Sequence, residues 1–206
     1  MELFSTVFTG PFMTALKMIT VSEYLAMDHA SETKLEYYHG QIVAMAGARR
    51  THNVIAANLI HMLIGALRGR PCEVYPSDQK VRTLTGAYLY PDVSVACTPQ
   101  FEDEGENILT NPTVIIEVLS ESTESRDRGV KFEHYRSIPS LREILFVAQD
   151  RRSVERYRRH SPDWIYTAFG PEEAQIELAS LGVSLSLDEI YQRVQFPMPF
   201  EDEAGE

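Results

Sequence analysis

The sequence predicts an α/β fold of mixed α+β character, with a central mixed β-sheet flanked by helices. Three observations support this class. Residues 52–68 repeat apolar side chains at the spacing of an amphipathic helix. Residues 114–119 form an almost unbroken apolar run, as in a strand covered on both faces. Helical and strand-like segments alternate along the chain, and that order favours a sheet packed between helices.

The first elements are two helices and a hairpin. Thr20, followed by a nearby acid, has a capping pattern and predicts a short helix at 21–28. Strand-like residues on either side of His39-Gly40 predict a β-hairpin, with the glycine supplying the turn. The helix at 52–68 follows, and its apolar face holds Ile55, Leu59, Met62, Leu63 and Ala66.

The later elements are mostly strands. Apolar runs bounded by turn residues predict strands at 72–75, 79–83, 88–96, 113–119, 143–148, 153–159, 163–169 and 175–179. Helical patterns occupy 125–137 and 187–194. The strands on either side of Ser161-Pro162 are expected to form an antiparallel pair.

We expect a single domain across residues 18–195, because neither a repeat nor a linker divides the 206-residue chain. Residues 1–17 are interpreted as an N-terminal extension, with Met18 as a candidate start. Residues 196–206 are acidic and contain prolines, a composition typical of a disordered tail.

The formal net charge of −11 argues against nucleic-acid binding through bulk charge alone. The distribution of charge is more informative. Of the 19 basic residues, 15 are arginine, whose planar guanidinium suits phosphate oxygens. They cluster at 49–50, 126–128 and 151–159. Each cluster is either a phosphate contact or a solvated surface.

Several classes of protein and site are excluded. No apolar run approaches the roughly 18 residues of a membrane span, and residues 1–17 lack the charge order of a secretory signal. Zinc-spaced His and Cys residues, a P-loop and a Gly-x-Ser-x-Gly elbow are absent from the sequence. Cys72 and Cys97 do not make a disulfide framework, so the expected compartment is the reducing cytoplasm. Cys97 is expected to be a small core residue.

Two carboxylates lie in successive apolar runs. Asp92 follows Pro91, and Glu117 interrupts the run at 114–119. Burying an unpaired ionised carboxylate costs roughly several kcal/mol. A positive group must therefore face Glu117. That group is either a side chain or a hard cation such as Mg²⁺ or Mn²⁺, which prefers oxygen ligands. The structural alternatives are a turn-capping Asp92 and a salt-bridged Glu117.

Pro91-Asp92, followed after a spacer by Glu117 in an apolar strand, resembles the PD-(D/E)XK motif of restriction-endonuclease-like nucleases. The strings at 90–95 and 112–135 are more closely similar to the bacterial Uma-type endonuclease family within that superfamily. The resemblance covers roughly residues 20–194. It implies a restriction-endonuclease-like core and DNA hydrolysis that depends on Mg²⁺ or Mn²⁺.

The sequence departs from the superfamily motif at one position. The motif places a lysine two residues after the glutamate, and this chain has Leu119 there. Lys131 matches the family's own pattern and is the candidate replacement, because its flexible stem can reach the same point from the next helix. Its spacing also allows a simple salt bridge with Asp127, one helical turn earlier.

The resemblance implies three further site residues. Glu36 corresponds to an upstream family acid and is a candidate third metal ligand, the alternative being a surface residue of the hairpin. His52 matches a recurrent family histidine that could orient water or contact phosphate, the alternative being an ordinary residue at a helix start. Tyr135 shares a helix face with Lys131.

The leading hypothesis is phosphodiester hydrolysis of DNA. Asp92, Glu117 and the carbonyl of Val118 would hold the metal, Glu36 would assist, and Lys131 would orient the attacking water. Two alternatives stay open, namely an inactive module of the same fold for nucleic-acid binding or assembly, and a hydrolase of another phosphoester. A homo-oligomer is also expected, because the strands at 144–147 and 153–169 offer apolar and edge surface.

Overall fold

A six-stranded mixed sheet lies at the centre of the computed structural model, which describes residues 18–45, 47–105 and 107–196. From edge to edge it contains β11 (Asp163–Phe169), β10 (Val154–His160), β9 (Glu143–Ala148), β8 (Val114–Leu119), β6 (Val93–Cys97) and β3 (Cys72–Pro76). Within it β8 and β9 are parallel, and the other neighbours are antiparallel. The prediction of a mixed α/β fold is confirmed.

Two smaller sheets complete the strand structure of the described residues. One has the order β2 (Gln41–Ala44), β1 (Leu35–Tyr38), β5 (Tyr88–Leu89), β4 (Lys80–Arg82) and β7 (Ile108–Leu109). The other pairs β12 (Gln175–Leu178) with β13 (Val183–Ser186), and β13 is a strand that the sequence analysis missed. The expected single central sheet is therefore one of three.

The predicted strand at 88–96 is wrong, because the chain changes sheets within it. Residues Tyr88–Leu89 belong to the five-stranded sheet and Val93–Cys97 to the central one. Pro91 lies at the crossing, where its lack of an N–H suits a break in the ladder. Asp92 is consequently held at the junction of the two sheets.

The helices lie close to where the sequence predicts them. They are α1 (Val21–Ala30), α2 (Arg50–Ala66), α3 (Glu124–Arg126), α4 (Phe132–Arg136) and α5 (Leu187–Ile190). The capping box of α1 is present, since Thr20 Oγ1 accepts from the Glu23 amide and Glu23 accepts from the Thr20 amide. Between α3 and α4 the backbone forms one turn of π-helix at Asp127–Lys131 (the π-turn). The predicted helix at 125–137 is therefore not a regular α-helix.

Two apolar clusters cover the central sheet. On one face, α2 packs Ile55, Leu59 and Leu63 against the sheet, as its periodicity predicts, whereas Ala66 is exposed because α2 ends there. On the other face, α4 and the five-stranded sheet cover the odd-numbered residues of β8. All six residues of β8 are buried. Glu117 therefore enters the interior on the side of α4.

The expectation of unlinked cysteines is wrong. Cys72 and Cys97 are directly opposite each other in the β3–β6 pair and form a disulfide, with Cα atoms 3.9 Å apart. Sequence spacing carries no signal of this contact, because it depends on strand register. Cys97 also packs against the core, as predicted.

Strand β9 does not offer the oligomer surface that the sequence analysis expected of 144–147. All its residues are buried, and it lies between β8 and β10. The edge belongs to β11. The proposed extension at 1–17 lies outside the described residues, as do residues 197–206 of the tail, whereas Phe196 contacts the ring of Tyr191. Across the described ranges, every helix is too short or too polar to cross a bilayer.

A buried ion pair fastens α1 to the sheets. Asp28 Oδ2 lies 2.8 Å from Lys80 Nζ and accepts a 2.7 Å hydrogen bond from the Tyr90 hydroxyl. Its Oδ1 accepts from the Leu35 amide. The side chains of Asp28 and Lys80 are only 7% and 10% exposed. This contact holds Tyr90 directly before the sheet crossing.

We therefore expect Asp28→Ala to lower the free energy of unfolding by roughly 3–5 kcal/mol, because it leaves the Lys80 charge buried and unpaired. Urea denaturation followed by circular dichroism measures the change. Asp150→Ala is the control, because its pair with Arg151 is exposed and is worth at most about 1 kcal/mol. Equal losses in the two variants would contradict this role of Asp28.

Candidate active site

Asp92 and Glu117 are neighbours across two strands. Strands β6 and β8 are antiparallel with Val93 opposite Ile116, so the position before Val93 faces the position after Ile116. Asp92 Oδ2 accepts a 2.7 Å hydrogen bond from the Val118 amide. Asp92 is 8% exposed and Glu117 is 2% exposed. The sheet thus brings two largely buried carboxylates to one place.

Glu117 is bound on one oxygen by two side chains from the following helix. Its Oε1 accepts hydrogen bonds from Lys131 Nζ at 3.1 Å and from the Tyr135 hydroxyl at 2.6 Å. Lys131 ends the π-turn, and Tyr135 lies one turn later in α4. The lysine thus reaches the glutamate from the helix, and Leu119 packs in the apolar core.

Lys131 is surrounded by three carboxylates. Its Nζ lies 3.1 Å from Glu117 Oε1, 3.1 Å from Glu36 Oε1 and 3.3 Å from Asp127 Oδ1. Burial by itself lowers the pKa of Lys131, which is 3% exposed, but the three carboxylates together raise that pKa well above its usual value. The ammonium group is therefore charged at neutral pH.

Glu36 lies behind Lys131. Its Oε1 lies 3.1 Å from Lys131 Nζ and accepts a hydrogen bond from the Tyr90 amide at 3.2 Å, and its Oε2 accepts from the Tyr38 hydroxyl at 2.5 Å. The carboxylate is fully buried, so the alternative of a surface hairpin residue is wrong. Both of its oxygens are already bound by protein groups, which suits a residue that holds Lys131 in place.

His52 contacts Asp92 from the first turn of α2. Its Nε2 lies 3.1 Å from Asp92 Oδ2, the same oxygen that accepts from the Val118 amide. Burial acts to lower the pKa of His52, but the hydrogen bond and charge of Asp92 outweigh it and raise that pKa. Asp92 Oδ1 is the oxygen that neither of these contacts engages.

A cavity of about 710 Å³ opens onto these groups. Asp92, Glu117, Val118 and Lys131 line it, and so does His52. Its volume is in the range of small-molecule and cofactor sites. Glu36 is not among the described residues that line it. Three basic side chains, Lys34, Arg49 and Arg126, also line the cavity.

Asp127 also lines the cavity, whereas its spacing from Lys131 predicted only a salt bridge. It is 2% exposed, and burial raises its pKa, opposed by Lys131. The contact with Lys131 was predictable from the spacing of four residues, but the burial was not. The burial of Asp127 depends on the π-turn, and a π-helical turn is a feature often found at functional sites.

The arginine clusters noted in the sequence lie in different surroundings. Arg49 and Arg126 line the cavity, whereas Arg128 forms ion pairs with Glu124 and Glu155. Arg159 donates to backbone carbonyls at the end of α4 and stacks on Trp164. Within the cluster at 151–159, Arg159 therefore has a structural role.

Buried negative charge exceeds buried positive charge at this site. Four carboxylates, those of Glu36, Asp92, Glu117 and Asp127, face one lysine and His52. Burial raises the pKa of Glu117 well above its ordinary 4.5, and the charges of Asp127 and Asp92 add to this, although Lys131 opposes it. Excess buried carboxylate is the environment in which a divalent cation binds favourably.

The donor set fits a hard divalent cation. Asp92 and Glu117 each have an oxygen that the contacts above leave unengaged. Within the described ranges, no three His, Cys, Asp or Glu side chains are already grouped to hold a metal. Mg²⁺ commonly binds through one or two carboxylates and keeps several waters. Two carboxylates with water and a backbone carbonyl therefore match Mg²⁺ or Mn²⁺ better than zinc.

Comparisons with known proteins found a matching family model, two relatives in sequence and a similar solved structure. A family model described as "Uma2: Putative restriction endonuclease" matches residues 21–188. Uncharacterized protein slr1290 of Synechocystis sp. is 35% identical over 180 residues, covering 86% of this chain and 94% of that protein. Uncharacterized protein sll1609 of the same organism is 35% identical over 170 residues, covering 81% of this chain and 96% of that protein.

A solved structure shares the fold. The crystal structure of a protein from Anabaena variabilis, titled a "putative nuclease belonging to DUF820", superposes with a TM-score of 0.70 and 20% sequence identity. The match covers 84% of this chain and 97% of that one. At this identity the likeness concerns the fold, which agrees with the mixed sheets and flanking helices described above.

The raised pKa of Glu117 predicts a pH dependence of stability in metal-free protein. A carboxyl whose pKa is higher in the folded state stabilises the fold fully below pH 4.5, its ordinary pKa, and this contribution is lost as pH rises through the folded pKa. Glu117→Gln cannot ionise. We therefore expect the melting temperature of the wild type to fall relative to Glu117→Gln as pH rises from 4.5 to about 8.

Differential scanning calorimetry in EDTA measures both pH profiles. Asp188→Asn is the control, since its side chain is 80% exposed and should leave the wild-type profile unchanged. Parallel profiles for wild type and Glu117→Gln would contradict the raised pKa.

Proposed function

Since the chain belongs to the Uma2 family of restriction-endonuclease-like proteins, we propose that it is a divalent-metal-dependent endonuclease that hydrolyses DNA phosphodiester bonds. The observation that carries this proposal is the buried contact of Lys131 Nζ with Glu117 Oε1, beside Asp92 and at the wall of an open cavity. Such hydrolysis needs a pair of acids to bind the metal and an adjacent positive charge.

Asp92 and Glu117, with the carbonyl of Val118 and water, would hold Mg²⁺ or Mn²⁺. A divalent ion bound there supplies a water of lowered pKa and stabilises charge on the phosphate. The Val118 amide binds Asp92 Oδ2 and so fixes the two strands relative to each other at the proposed site.

Lys131 supplies a fixed positive charge. Because the surrounding carboxylates keep it protonated, it acts through its positive charge on the attacking water and the phosphate, and does not serve as the base. Charge held in advance beside the reacting groups stabilises a transition state more strongly than charge in solution. Glu36 and Asp127 contribute by holding the ammonium group in position.

His52 and Tyr135 would position the carboxylates. His52 Nε2 and the Val118 amide both bind Asp92 Oδ2, and the Tyr135 hydroxyl binds Glu117 Oε1. Each carboxylate is thereby oriented through one oxygen. Glu36, first considered as a metal ligand, is better explained as a partner of Lys131, because the Tyr90 amide and Tyr38 hydroxyl also bind it.

The basic residues of the cavity give a DNA backbone its first favourable contacts. Arg49 and Arg126 line the opening beside the carboxylates. The protein as a whole carries a formal charge of −11, so attraction to phosphate must be local. We assign these two arginines to phosphates that flank the cleaved bond.

The first alternative is a non-catalytic module that retains the fold and binds nucleic acid. Leu119 at the motif's lysine position and the acidic surface favour it. Hydrolysis of a different phosphoester would use the same residues with another substrate. DNA binding without cleavage would support the module, and cleavage of a model phosphodiester without DNA cleavage would support the second alternative.

We place this activity in the cytoplasm. The chain has only two cysteines, and a single bond between them is not the dense disulfide framework of a small secreted domain. The pair is positioned at the far end of β6 from Asp92.

We expect purified protein to nick or cleave supercoiled plasmid in the presence of Mg²⁺ or Mn²⁺, and to lose this activity in EDTA. Asp92→Asn should reduce cleavage to background. Lys131→Met should reduce it by about 10²–10³-fold, because it removes the charge that stabilises the transition state. Agarose-gel quantification of nicked and linear plasmid measures the rates.

Asp188→Asn is the matched control, an exposed carboxylate outside the cavity, and should cleave like the wild type. Circular dichroism melting checks that each variant is folded under assay conditions. Equal cleavage by wild type, Asp92→Asn and Lys131→Met would refute the assignment.

A further inference from the structure

The two larger sheets of the described residues end in four edge strands, and these differ in how well they are protected. Strand β3 contains Glu73 and Pro76, β2 has four residues, and β7 has two. Strand β11 has seven residues and forms one edge of the central sheet. Natural edge strands are usually short, or carry charges or prolines that prevent further pairing.

Strand β11 lacks these protections over most of its length. After Asp163 it reads Trp-Ile-Tyr-Thr-Ala-Phe, without charge or proline. Two of its large side chains, Ile165 and Tyr166, are 41% and 50% exposed. A long, uncharged and exposed edge is a template for another strand.

We propose that β11 pairs antiparallel with β11 of a second copy of this chain, about a two-fold axis near Tyr166, the midpoint of the strand. The two central sheets then form one continuous twelve-stranded sheet across the dimer. A two-fold contact uses the same surface on both copies, so the strand must be complementary to itself.

The charges beside the strand favour a second copy as the partner. At the hairpin end of β11, two arginines of β10, Arg158 and Arg159, outnumber the one acid, Asp163. At the other end, β11 is followed by two acids, Glu172 and Glu173. Antiparallel pairing brings the basic end of one copy to the acidic end of the other. This complementarity applies twice in a symmetric dimer and offsets part of the repulsion between two acidic chains.

Aromatic side chains also favour this pairing. The ring centroid of Tyr166 lies 5.2 Å from that of Tyr157, which lies 4.5 Å from that of Phe132. This row runs toward the edge and ends at the exposed Tyr166. In the dimer the rows of the two copies meet at the axis, where aromatic cross-strand pairs stabilise a sheet.

This surface is separate from the candidate active site, since no residue of β11 lines the cavity. Dimer formation can therefore be tested independently of hydrolysis. Full-length protein is measured by size-exclusion chromatography with light scattering over a concentration series. We expect twice the 23.4 kDa mass of one chain for the wild type and a single-chain mass for Tyr166→Lys.

Leu84→Lys is the control, because Leu84 is a 67% exposed hydrophobic residue outside β11, and this variant should remain dimeric. A monomeric wild type at all concentrations would overturn the proposal. A Tyr166→Lys protein that stays dimeric like the control would overturn it as well.

A second variant covers the case in which Tyr166→Lys does not fold. Cysteines at directly opposed positions of an antiparallel pair lie close enough to be cross-linked. Tyr166→Cys should therefore form covalent dimers under mild oxidation, whereas Leu84→Cys should not. Absence of cross-linking at positions 165, 166 and 167, each tested as a single cysteine substitution, would overturn the two-fold pairing.

Discussion

The structure around the cavity depends on one buried ammonium group. Lys131 Nζ contacts the carboxylates of Glu36, Glu117 and Asp127, which come from strand β1, strand β8 and the π-turn. Removing Lys131, or the carboxylates that face it, would leave unpaired charge in the interior and cost roughly several kcal/mol. The lysine thus joins the five-stranded and central sheets to the helix, and in the proposed mechanism it lies beside the reacting phosphate. The contacts that stabilise the fold and those assigned to catalysis are the same.

The change of sheet at Pro91 brings a fourth acid, Asp92, to this cluster. Because β5 and β6 belong to different sheets, Asp92 lies at the junction, where its carboxylate reaches the Val118 amide and His52. The neighbouring residue Tyr90 binds Glu36 through its amide and Asp28 through its hydroxyl. One short crossing therefore fixes the metal-binding pair we propose, the partner of Lys131, and the ion pair that fastens α1.

The sequence predicted what is encoded locally. The apolar run around Glu117 indicates burial, periodicity indicates the face of α2, and the spacing of Lys131 from Asp127 indicates their contact. Contacts between distant segments were not predictable in the same way. Glu36 is buried because β1 pairs with β5, and Cys72 meets Cys97 because of the β3–β6 register. The break at Pro91 and the added strand β13 also follow from sheet assembly, to which a single run of sequence gives little guide.

The most direct test of the central claim is a crystal structure of the protein soaked in Mn²⁺, with anomalous diffraction data. The account predicts an anomalous peak in contact with carboxylate oxygens of both Asp92 and Glu117, with Lys131 still beside Glu117. An anomalous peak elsewhere on the protein, or none in crystals saturated with Mn²⁺, would contradict the claim that these acids and this lysine form one metal-dependent site.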